Sequence, residues 1–345
     1  MPTSAAQDRR PSPEFQAVFR AEAGEAGAMS FDRFMSLALY HPAVGYYRAE
    51  KKRVGYGRGT DFYTATSTGP LFGELVHAAC RSLLGQEKLK DYTFVELGAE
   101  PGAGILAGAQ HSFGATRNIR IGETVALSGR CVVFSNELFD AQPFRRLQFQ
   151  GGSWYEMGVQ LLSGELREIA LAPVAALTSP SSLSAPGAIA SLFSTLPTVA
   201  PEGYRIDLPL ASVALAEQIS AQPWTGLFLA FDYGKSWREL IAATPAGTAR
   251  AYFQHQQSND LLARPGQQDL TCHICWDWLA DKLAGAGFAP PQLETQEAFL
   301  IRRAADFMSA TVAAEASQLS QRKLGLLQLL HHLGQKFQVL WALRQ

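Results

Sequence analysis

The sequence predicts an α/β fold built around a mainly parallel sheet. Three apolar runs carry this prediction: VELGAEPGAG at residues 95–104, CVVFSNELFDAQPF at 131–144 and GLFLAFDYG at 226–234. Each begins as a buried parallel strand would, and glycines, acids or both follow it. A glycine-rich turn after a strand lets backbone N–H groups and a helix N-terminus approach a ligand closely. We therefore expect a ligand site at the carboxyl ends of these strands, where acidic side chains would suit a cationic group.

Composition limits the classes of protein to which this chain can belong. Its 345 residues are 47% apolar and 18% charged, enough to bury a large core in one domain or two. The formal net charge of -1, from 30 basic and 31 acidic residues, offers no broad attraction to nucleic acid or to an anionic membrane. We predict a cytoplasmic protein without membrane insertion. The four cysteines are scattered, the N-terminus has no apolar signal region, and no apolar run is long enough to span a bilayer.

The first ninety residues predict helices joined by loops. Residues 1–28 form a polar, alanine-rich lead-in that ends in one helix, and 31–40 predict an amphipathic helix that Pro42 terminates. The basic, glycine-rich segment 51–69 predicts a loop, and apolar positions 71, 75, 76 and 79 predict a helix over 69–84. Strands then follow from Thr93 and from Cys131, so we expect the sheet to begin near residue 93.

The second half of the chain predicts a return to the sheet after an irregular excursion. Residues 152–224 include the Ser/Ala/Pro-rich stretch 172–187, and we expect them to lie at one edge of the sheet. After the strand at 226–234, the pattern predicts a helix over 274–288, a strand over 296–303, a helical insertion over 304–334 and a final strand over 337–344. This order predicts that the parallel sheet ends in an antiparallel strand.

Nine short motifs occur in an order that resembles a known family. They are FMSLALYHPAVGYY, GTDFYTATSTGPLFGE, VELGAEPGAG, SNELFDAQPF, FDYG, GTARAYFQH, PGQQDLT, TQEAFL and LGQKFQVLWAL. From about Ser30 to its C-terminus the chain resembles the MidA-like S-adenosylmethionine-dependent methyltransferases, whose mitochondrial members are complex I assembly factors that methylate a protein arginine. The resemblance implies a class I (Rossmann-like) methyltransferase core over 91–345, with insertions at about 151–224 and 304–334. A helical and loop segment over 1–90 would cover its site.

The resemblance also implies a cofactor and a substrate. S-adenosylmethionine would be the methyl donor, with Glu96 near its ammonium group and Gly98, Gly102 and Gly104 against its methionine portion. A protein, such as a respiratory-complex subunit, would be the substrate. Residues 99–101 separate the first two glycines more widely than the usual GxGxG of the family, so a tight turn that binds nothing is the alternative.

The span 105–130 is short for what the family has there. A helix, a second strand ending in an acid for the cofactor ribose, and another helix normally precede the SNELFD strand. A single crossover already needs about a dozen residues or more, so we expect a shortened version here. Glu123 is the only acid in the span, and a surface-turn role suits it as well as a ribose contact.

The acids after the second strand are the candidates for catalysis. Methyl transfer to a guanidinium benefits from a carboxylate that aligns the nucleophile and balances its charge. We assign Glu137 and Asp140 to this role, with Asn136 orienting. The structural alternative is that Asp140 caps a following helix and that Glu137 pairs with Arg145 or Arg146.

Three further residues are assigned to the substrate side of the site. Asp61 lies on a loop that the family places over the site, although Thr60 separates it from the glycine that the family has directly before it. Asp232 and Tyr233 close the strand at 226–234 and could line the same cleft. These two residues could equally belong to a turn.

Metal and redox chemistry are not predicted. The CHIC sequence at 272–275 has the spacing of half a zinc or redox site, but no second cysteine pair completes four ligands. His331 and His332 suit cap or surface roles beside a helix end.

Two hypotheses about function from different classes remain. The first is a methyltransferase that modifies a protein side chain, above all an arginine. The alternative is a non-catalytic assembly or binding protein that keeps the fold after its cofactor site shrank. A nicotinamide-dependent dehydrogenase fits poorly, because residues 118–121 lack the acid that would bind the ribose.

Overall fold

The fold is seen in a computed structural model, which describes residues 10–49, 53–55, 60–61, 65–85, 88–99, 104–177, 193–315 and 320–345. The strands are β1 (Ala28–Ser30), β2 (Thr93–Leu97), β3 (Ala115–Ile119), β4 (Gly129–Asn136), β5 (Arg145–Gln150), β6 (Ser153–Leu162), β7 (Glu165–Pro173), β8 (Arg205–Leu208), β9 (Trp224–Asp232), β10 (Gly234–Lys235), β11 (Arg250–Phe253), β12 (Gln256–Ser258), β13 (Asp269–Thr271), β14 (Ile274–Cys275), β15 (Gln292–Thr295) and β16 (Gln338–Arg344).

The helices are α1 (Pro13–Ala23), α2 (Phe31–Tyr40), α3 (Pro70–Leu84), α4 (Val174–Leu177), α5 (Leu210–Ser220), α6 (Trp237–Ala242), α7 (Trp276–Gly285), α8 (Gln296–Arg303), α9 (Ala305–Ala314) and α10 (Gln321–Leu327). Short 3₁₀ turns occur at Gly24–Ala26, Tyr46–Arg48, Ala65–Thr68 and Leu89–Asp91, and a π-helical turn, Gln328–His332, follows α10. Within the described part of the chain, no helix is both long enough and apolar enough to cross a membrane.

The helices predicted before residue 90 are confirmed. Helix α2 ends at Tyr40, two residues before Pro42, as the proline requires. Helix α3 has Pro70 in its first turn and ends at Gly85, whose φ of +62° suits a glycine at a helix C-terminus. Local signals at both ends therefore set the limits of this helix.

The segment 296–303 is helix α8, so the prediction of a strand there is wrong. Thr295 is its N-cap, with Oγ1 accepting the N–H of Ala298 at 3.2 Å, and Phe299 and Leu300 are buried. A short apolar run fits a strand and a buried helix equally well, and the cap decides between them. The strand lies directly before the cap, as β15.

Residue contacts divide the chain into two compact units that interleave along the sequence. The first unit consists of Met1–Lys51, Ala141–Ser212 and Lys235–Cys275, and the second of Lys52–Asp140, Val213–Gly234 and Trp276–Gln345. The division expected from the sequence, a segment over 1–90 and a core over 91–345 with insertions at about 151–224 and 304–334, follows chain order and stays a prediction. All residues assigned to the candidate site belong to the second unit.

The second unit contains the parallel sheet. Its strand order is β15–β16–β9–β4–β2–β3. The pairs β3/β2, β2/β4 and β4/β9 are parallel, whereas β16 is antiparallel to β9 and β15 is antiparallel to β16. The predicted run of parallel strands with an antiparallel strand at the end of the chain is confirmed. Because parallel strands end at the same edge, the residues that follow β2, β4 and β9 come together.

One face of this sheet packs against helices α3 and α8. The ring of Phe72 on α3 lies 6.2 Å from that of Phe134 on β4 and 5.4 Å from that of Phe231 on β9. Phe231 also meets Phe299 of α8, with 5.5 Å between ring centroids. All four rings are buried, and each such burial stabilises the fold by roughly 2–3 kcal/mol. This aromatic layer fixes the sheet that carries the candidate site.

The first unit is built on an antiparallel sheet. Its order is β1–β6–β5–β8, and β7 pairs with the other edge of β6. Strands β6, β7 and β8 come from the segment 152–224, which was expected to lie at one edge of the parallel sheet. These strands pair with β1, with β5 and with one another, and none of them joins the parallel sheet. Strands β12, β11 and β13 form a further antiparallel sheet in this unit.

A buried ion pair joins β5 to β8. The Nε of Arg146 donates to Oδ1 of Asp207 at 2.8 Å, and Oδ2 of Asp207 also accepts the N–H groups of Thr248 and Ala249 at 2.7 and 2.8 Å. The guanidinium carbon of Arg146 lies 4.9 Å from the ring centroid of Phe31. These contacts offset the desolvation that burying both charges costs, and they hold the sheet to the GTARAYFQH segment.

Candidate functional site

Strand β2 leads into the first of the predicted cofactor glycines. Gly98 has a φ of +75°, a conformation that favours glycine, and its N–H donates to the carbonyl of Ile119 on β3 at 2.9 Å. A Cβ at Gly98 would lie 2.9 Å from Cδ1 of Leu138. The group that faces this glycine is therefore a side chain of the protein itself. Gly102 lies outside the described residues.

Glu96 is buried near the carboxyl end of β2 and is held by one backbone group. Its Oε2 accepts the N–H of Ile105 at 2.7 Å, and its other oxygen makes no hydrogen bond to any residue that the structure describes. Burial raises the pKa of Glu96 to about 7, because the single hydrogen bond from Ile105 only partly offsets desolvation. A cation placed against the second oxygen would stabilise the ionised form.

Gly104 lies directly over Glu96. A Cβ at this position would collide with Oε2 of Glu96 and with the side-chain amide of Asn118. The structure thus brings two of the predicted cofactor residues, Glu96 and Gly104, into contact. A side chain at position 104 would displace the carboxylate, which explains why a glycine is needed there.

The crossover between β2 and β3 is shortened, as the sequence predicts. Residues 104–114 contain turns and no helix, and β3 follows at Ala115, parallel to β2. After β3, the exposed side chain of Glu123 accepts the N–H of Arg120 through Oε2 at 2.8 Å. Glu123 therefore acts within a surface turn, the structural one of the two roles expected for it.

The carboxyl end of β4 combines a strained backbone with buried acceptors. Glu137 has a φ of +51°, which is uncommon for a residue with a side chain, and its N–H donates to the carbonyl of Phe231 at 2.9 Å. Nδ2 of Asn136 donates to Oε1 of Glu137 at 3.0 Å. Oδ1 of Asn136 and Oγ of Ser135 are buried without a hydrogen-bond partner among the described residues. A buried acceptor left without a donor costs about 1–3 kcal/mol, so these atoms are suited to a ligand that donates hydrogen bonds.

Asp232, at the end of β9, binds the backbone of the loop that follows β4. It is fully buried, with Oδ2 accepting the N–H groups of Phe139 and Asp140 at 2.9 and 3.4 Å and Oδ1 accepting that of Tyr233 at 2.8 Å. Burial raises its pKa to about 7, since desolvation outweighs these backbone hydrogen bonds. The carboxylate of Asp232 thus holds the loop that follows β4, and its predicted contact with substrate stays a prediction.

Within the described residues, the structure contains neither the helix cap proposed for Asp140 nor the arginine pair proposed for Glu137. No helix begins after Asp140, since the chain turns there and enters β5. Arg145 and Arg146 bond to Glu156, at 2.6 Å, and to Asp207, at 2.8 Å. Asp140 itself is buried, and Glu137 is half-buried. Asn136 ends β4, and Glu137 and Asp140 follow it within four residues; their assignment to catalysis stays a prediction.

The other two substrate-side residues are fixed by local contacts. The ring of Tyr233 packs on that of Phe337, with 4.0 Å between centroids. Asp61 is fully buried, and its N–H donates to the carbonyl of Arg53 at 2.8 Å. Residues 62–64, which continue the loop predicted over the site, lie outside the described residues.

Cysteines and histidines show no metal-binding arrangement in the described ranges. No group of three or more His, Cys, Asp and Glu side chains there could hold an ion. Cys272 and Cys275 are buried free thiols. His331 and His332 fall in the π-helical turn after α10.

Two features of the site were missed in the sequence. Leu138 faces Gly98, and the mid-helix Gly73 of α3 lies against the crossover segment, where a Cβ would collide with the carbonyl of Ile105. Gly73 did leave a signal, since a glycine inside an otherwise strong helix pattern often marks a close backbone contact. Leu138 left none.

Residues 111–292, more than half of the chain, match the family described as "Putative S-adenosyl-L-methionine-dependent methyltransferase". The chain belongs to this family. S-adenosylmethionine, the cofactor predicted from the sequence, is the cofactor of the family. The matched residues include Asn136, Glu137, Asp140 and Asp232. None of the curated proteins matches the chain.

Solved structures with the same fold come from Burkholderia thailandensis. One protein, described as a "likely methyl transferase" and bound to S-adenosyl-homocysteine, has a TM-score of 0.79 and 22% sequence identity, covering 100% of this chain and 95% of its own. A second, described as uncharacterized, has a TM-score of 0.75 and 21% identity, covering 100% of this chain and 94% of its own. At these identities the similarity establishes the fold alone. It is an α/β fold that this chain shares over its whole length with both proteins.

Proposed function

We propose that the protein is an S-adenosylmethionine-dependent methyltransferase that acts on the guanidinium group of a protein arginine. The acceptor cluster at the end of β4 carries this proposal. Oδ1 of Asn136 and Oγ of Ser135 are buried with no hydrogen-bond partner among the residues that the structure describes, beside the strained Glu137 and the buried Asp140. A guanidinium supplies several N–H donors in one plane together with a positive charge, which matches such a cluster.

The residues near β2 fit the cofactor. Glu96 has one oxygen anchored on Ile105 and a second oxygen that could meet an ammonium group. When bound, S-adenosylmethionine supplies a methyl group on a positively charged sulfur. Glu96 would hold its ammonium group, and the backbone at Gly98 and Gly104 would border its methionine portion. The S-adenosyl-homocysteine bound by the relative with the same fold supports S-adenosylmethionine as the cofactor and a class I methyltransferase core.

The acids that follow β4 act on the substrate arginine. Carboxylates at Glu137 and Asp140 accept guanidinium N–H groups, orient the nucleophilic nitrogen and balance the charge that gathers on it. Asn136 orients Glu137 through the hydrogen bond from its Nδ2. Asp232 keeps the loop in place through the N–H groups of Phe139 and Asp140.

Partner and location complete the proposal. The resemblance of the nine motifs to arginine-methylating assembly factors supports a protein substrate such as a respiratory-complex subunit. The four cysteines, none of them in a disulfide, support action in the cytoplasm.

Calorimetry and a labelled-methyl assay test the proposal. The wild-type protein should bind S-adenosyl-homocysteine in titration calorimetry and should transfer labelled methyl groups to an arginine-rich peptide. Glu137→Gln should lower the transfer rate about 100-fold or more, because it removes the charge that orients the guanidinium. Glu123→Gln is the matched control, since Glu123 acts only in a surface turn, and it should leave the rate unchanged. Equal rates in the two variants, or label recovered on another amino acid, would contradict the arginine assignment.

A non-catalytic binding protein is the second candidate, and one observation favours it. Leu138 occupies the space beside Gly98 where the resemblance expects the cofactor. If this side chain stays in place, the fold would serve assembly without methyl transfer. Absence of any binding heat with S-adenosyl-homocysteine, in wild type and in a Leu138→Ala variant alike, would favour this candidate over the enzyme.

A further inference from the structure

The crossover segment 104–114 lies along one face of helix α3. A Cβ on Gly73 would collide with the carbonyl of Ile105 and would lie 3.3 Å from Cβ of Ala109. A Cβ on Gly108 would lie 3.5 Å from Cγ of Pro70. Two backbones therefore meet here at a distance that only glycine at position 73 allows.

His77 holds the far end of the same segment. Its Nε2 accepts the N–H of Ser112 at 3.2 Å and lies 3.0 Å from Oγ of Ser112. Its ring lies 5.6 Å from that of Phe113. Positions 70, 73 and 77 are three and four residues apart, so one stripe of α3 makes all of these contacts.

Apolar burial along the segment strengthens this docking. Its buried side chains join those of α3 in one hydrophobic core, which includes Ile105, Leu106, Phe113, Leu71, Phe72, Leu75 and Val76. A helix in the crossover would normally cover this face of a parallel strand pair. In this chain the covering helix is α3, which comes from before β2 in the sequence.

Ile105 connects this docking to the cofactor site. Its carbonyl lies against Gly73, and its N–H donates to Oε2 of Glu96 at 2.7 Å. We infer that α3 replaces the missing crossover helix and that Gly73 and His77 are positioning residues, which set the carboxylate of Glu96 through Ile105. The inference rests on the proposed function for the identity of the ligand that Glu96 meets, S-adenosylmethionine. Neither residue touches the cofactor.

Amide hydrogen exchange and calorimetry on the full chain test this inference. Gly73→Ala should speed exchange of the Ile105 amide about tenfold or more and should raise the Kd for S-adenosyl-homocysteine about tenfold. Gly285→Ala is the matched control, because Gly285 ends helix α7 and a Cβ there meets nothing within 4 Å. It should change neither quantity.

Variants of His77 test the same inference without adding atoms at the contact between α3 and the crossover segment. His77→Ala should also speed exchange at Ile105, whereas His77→Gln, whose Oε1 can accept from Ser112, should restore slow exchange and affinity. Unchanged exchange at Ile105 in folded Gly73→Ala and His77→Ala would overturn the inference. Faster exchange with unchanged affinity would overturn the link to Glu96. A wild type that does not bind S-adenosyl-homocysteine would instead defeat the proposed function, and the exchange results would still decide whether α3 sets Ile105.

Discussion

The strained backbone at Glu137 predicts that glycine is more stable than alanine at this position. Its φ of +51° costs a residue with a Cβ about 1–2 kcal/mol, and a glycine avoids this cost. Glycine also loses more chain freedom on folding, by roughly 0.5–1 kcal/mol. We therefore expect Glu137→Gly to be more stable than Glu137→Ala by about 0.5–1 kcal/mol, whereas both should lose methyl transfer.

The comparison of these two variants isolates the backbone effect. Both remove the carboxylate, so the hydrogen bond from Asn136 is lost equally in each. Urea denaturation followed by fluorescence gives the free energy of unfolding, provided that the two variants have equal m-values. Ser163 is the matched control position, because its φ is also +51° but it lies in the turn between β6 and β7. Ser163→Gly should exceed Ser163→Ala by a similar amount without loss of methyl transfer.

Two results would refute this reasoning. Equal stabilities of the Gly and Ala variants at position 137, with the expected difference at 163, would mean that Glu137 carries no backbone strain. A Glu137→Gly variant that keeps full transfer activity would mean that neither the carboxylate nor the strained backbone of Glu137 is needed for transfer.

Further predictions concern buried charges in the two units. Glu96 and Asp232 have pKa values raised to about 7, so their contribution to the free energy of unfolding is complete below about pH 4 and is lost as the pH rises to about 7. Each carboxyl contributes on the order of 3 kcal/mol to this change. When the free energy of unfolding is measured by urea denaturation at each pH in that range, Glu96→Gln or Asp232→Asn should reduce its dependence on pH. An unchanged dependence on pH would contradict the raised pKa values. Arg146→Met should destabilise the protein by about 3–5 kcal/mol, since Asp207 stays buried without its cation, whereas the partly exposed Arg145→Met should cost far less in the same assay.

The sequence by itself determined the elements whose signals are local. Apolar runs bounded by glycines and acids indicate β2, β4 and β9, and their order along the chain predicts parallel pairing. Periodicity with a proline at the start or after the end indicates α2 and α3. At 296–303 the short apolar run led to the wrong prediction of a strand, whereas the N-cap at Thr295 correctly indicates a helix. The family resemblance likewise needed only the order of short motifs.

The tertiary structure alone decided which groups the candidate site residues contact. Asp232 sits at the end of a strand like a substrate ligand, yet its carboxylate binds the N–H groups of Phe139 and Asp140, more than ninety positions earlier in the chain. Glu96 is oriented by the N–H of Ile105, and the carbonyl of Ile105 lies against Gly73 in the middle of helix α3. These roles depend on backbone groups brought close by folding, and a linear pattern of side-chain types carries no record of such distances.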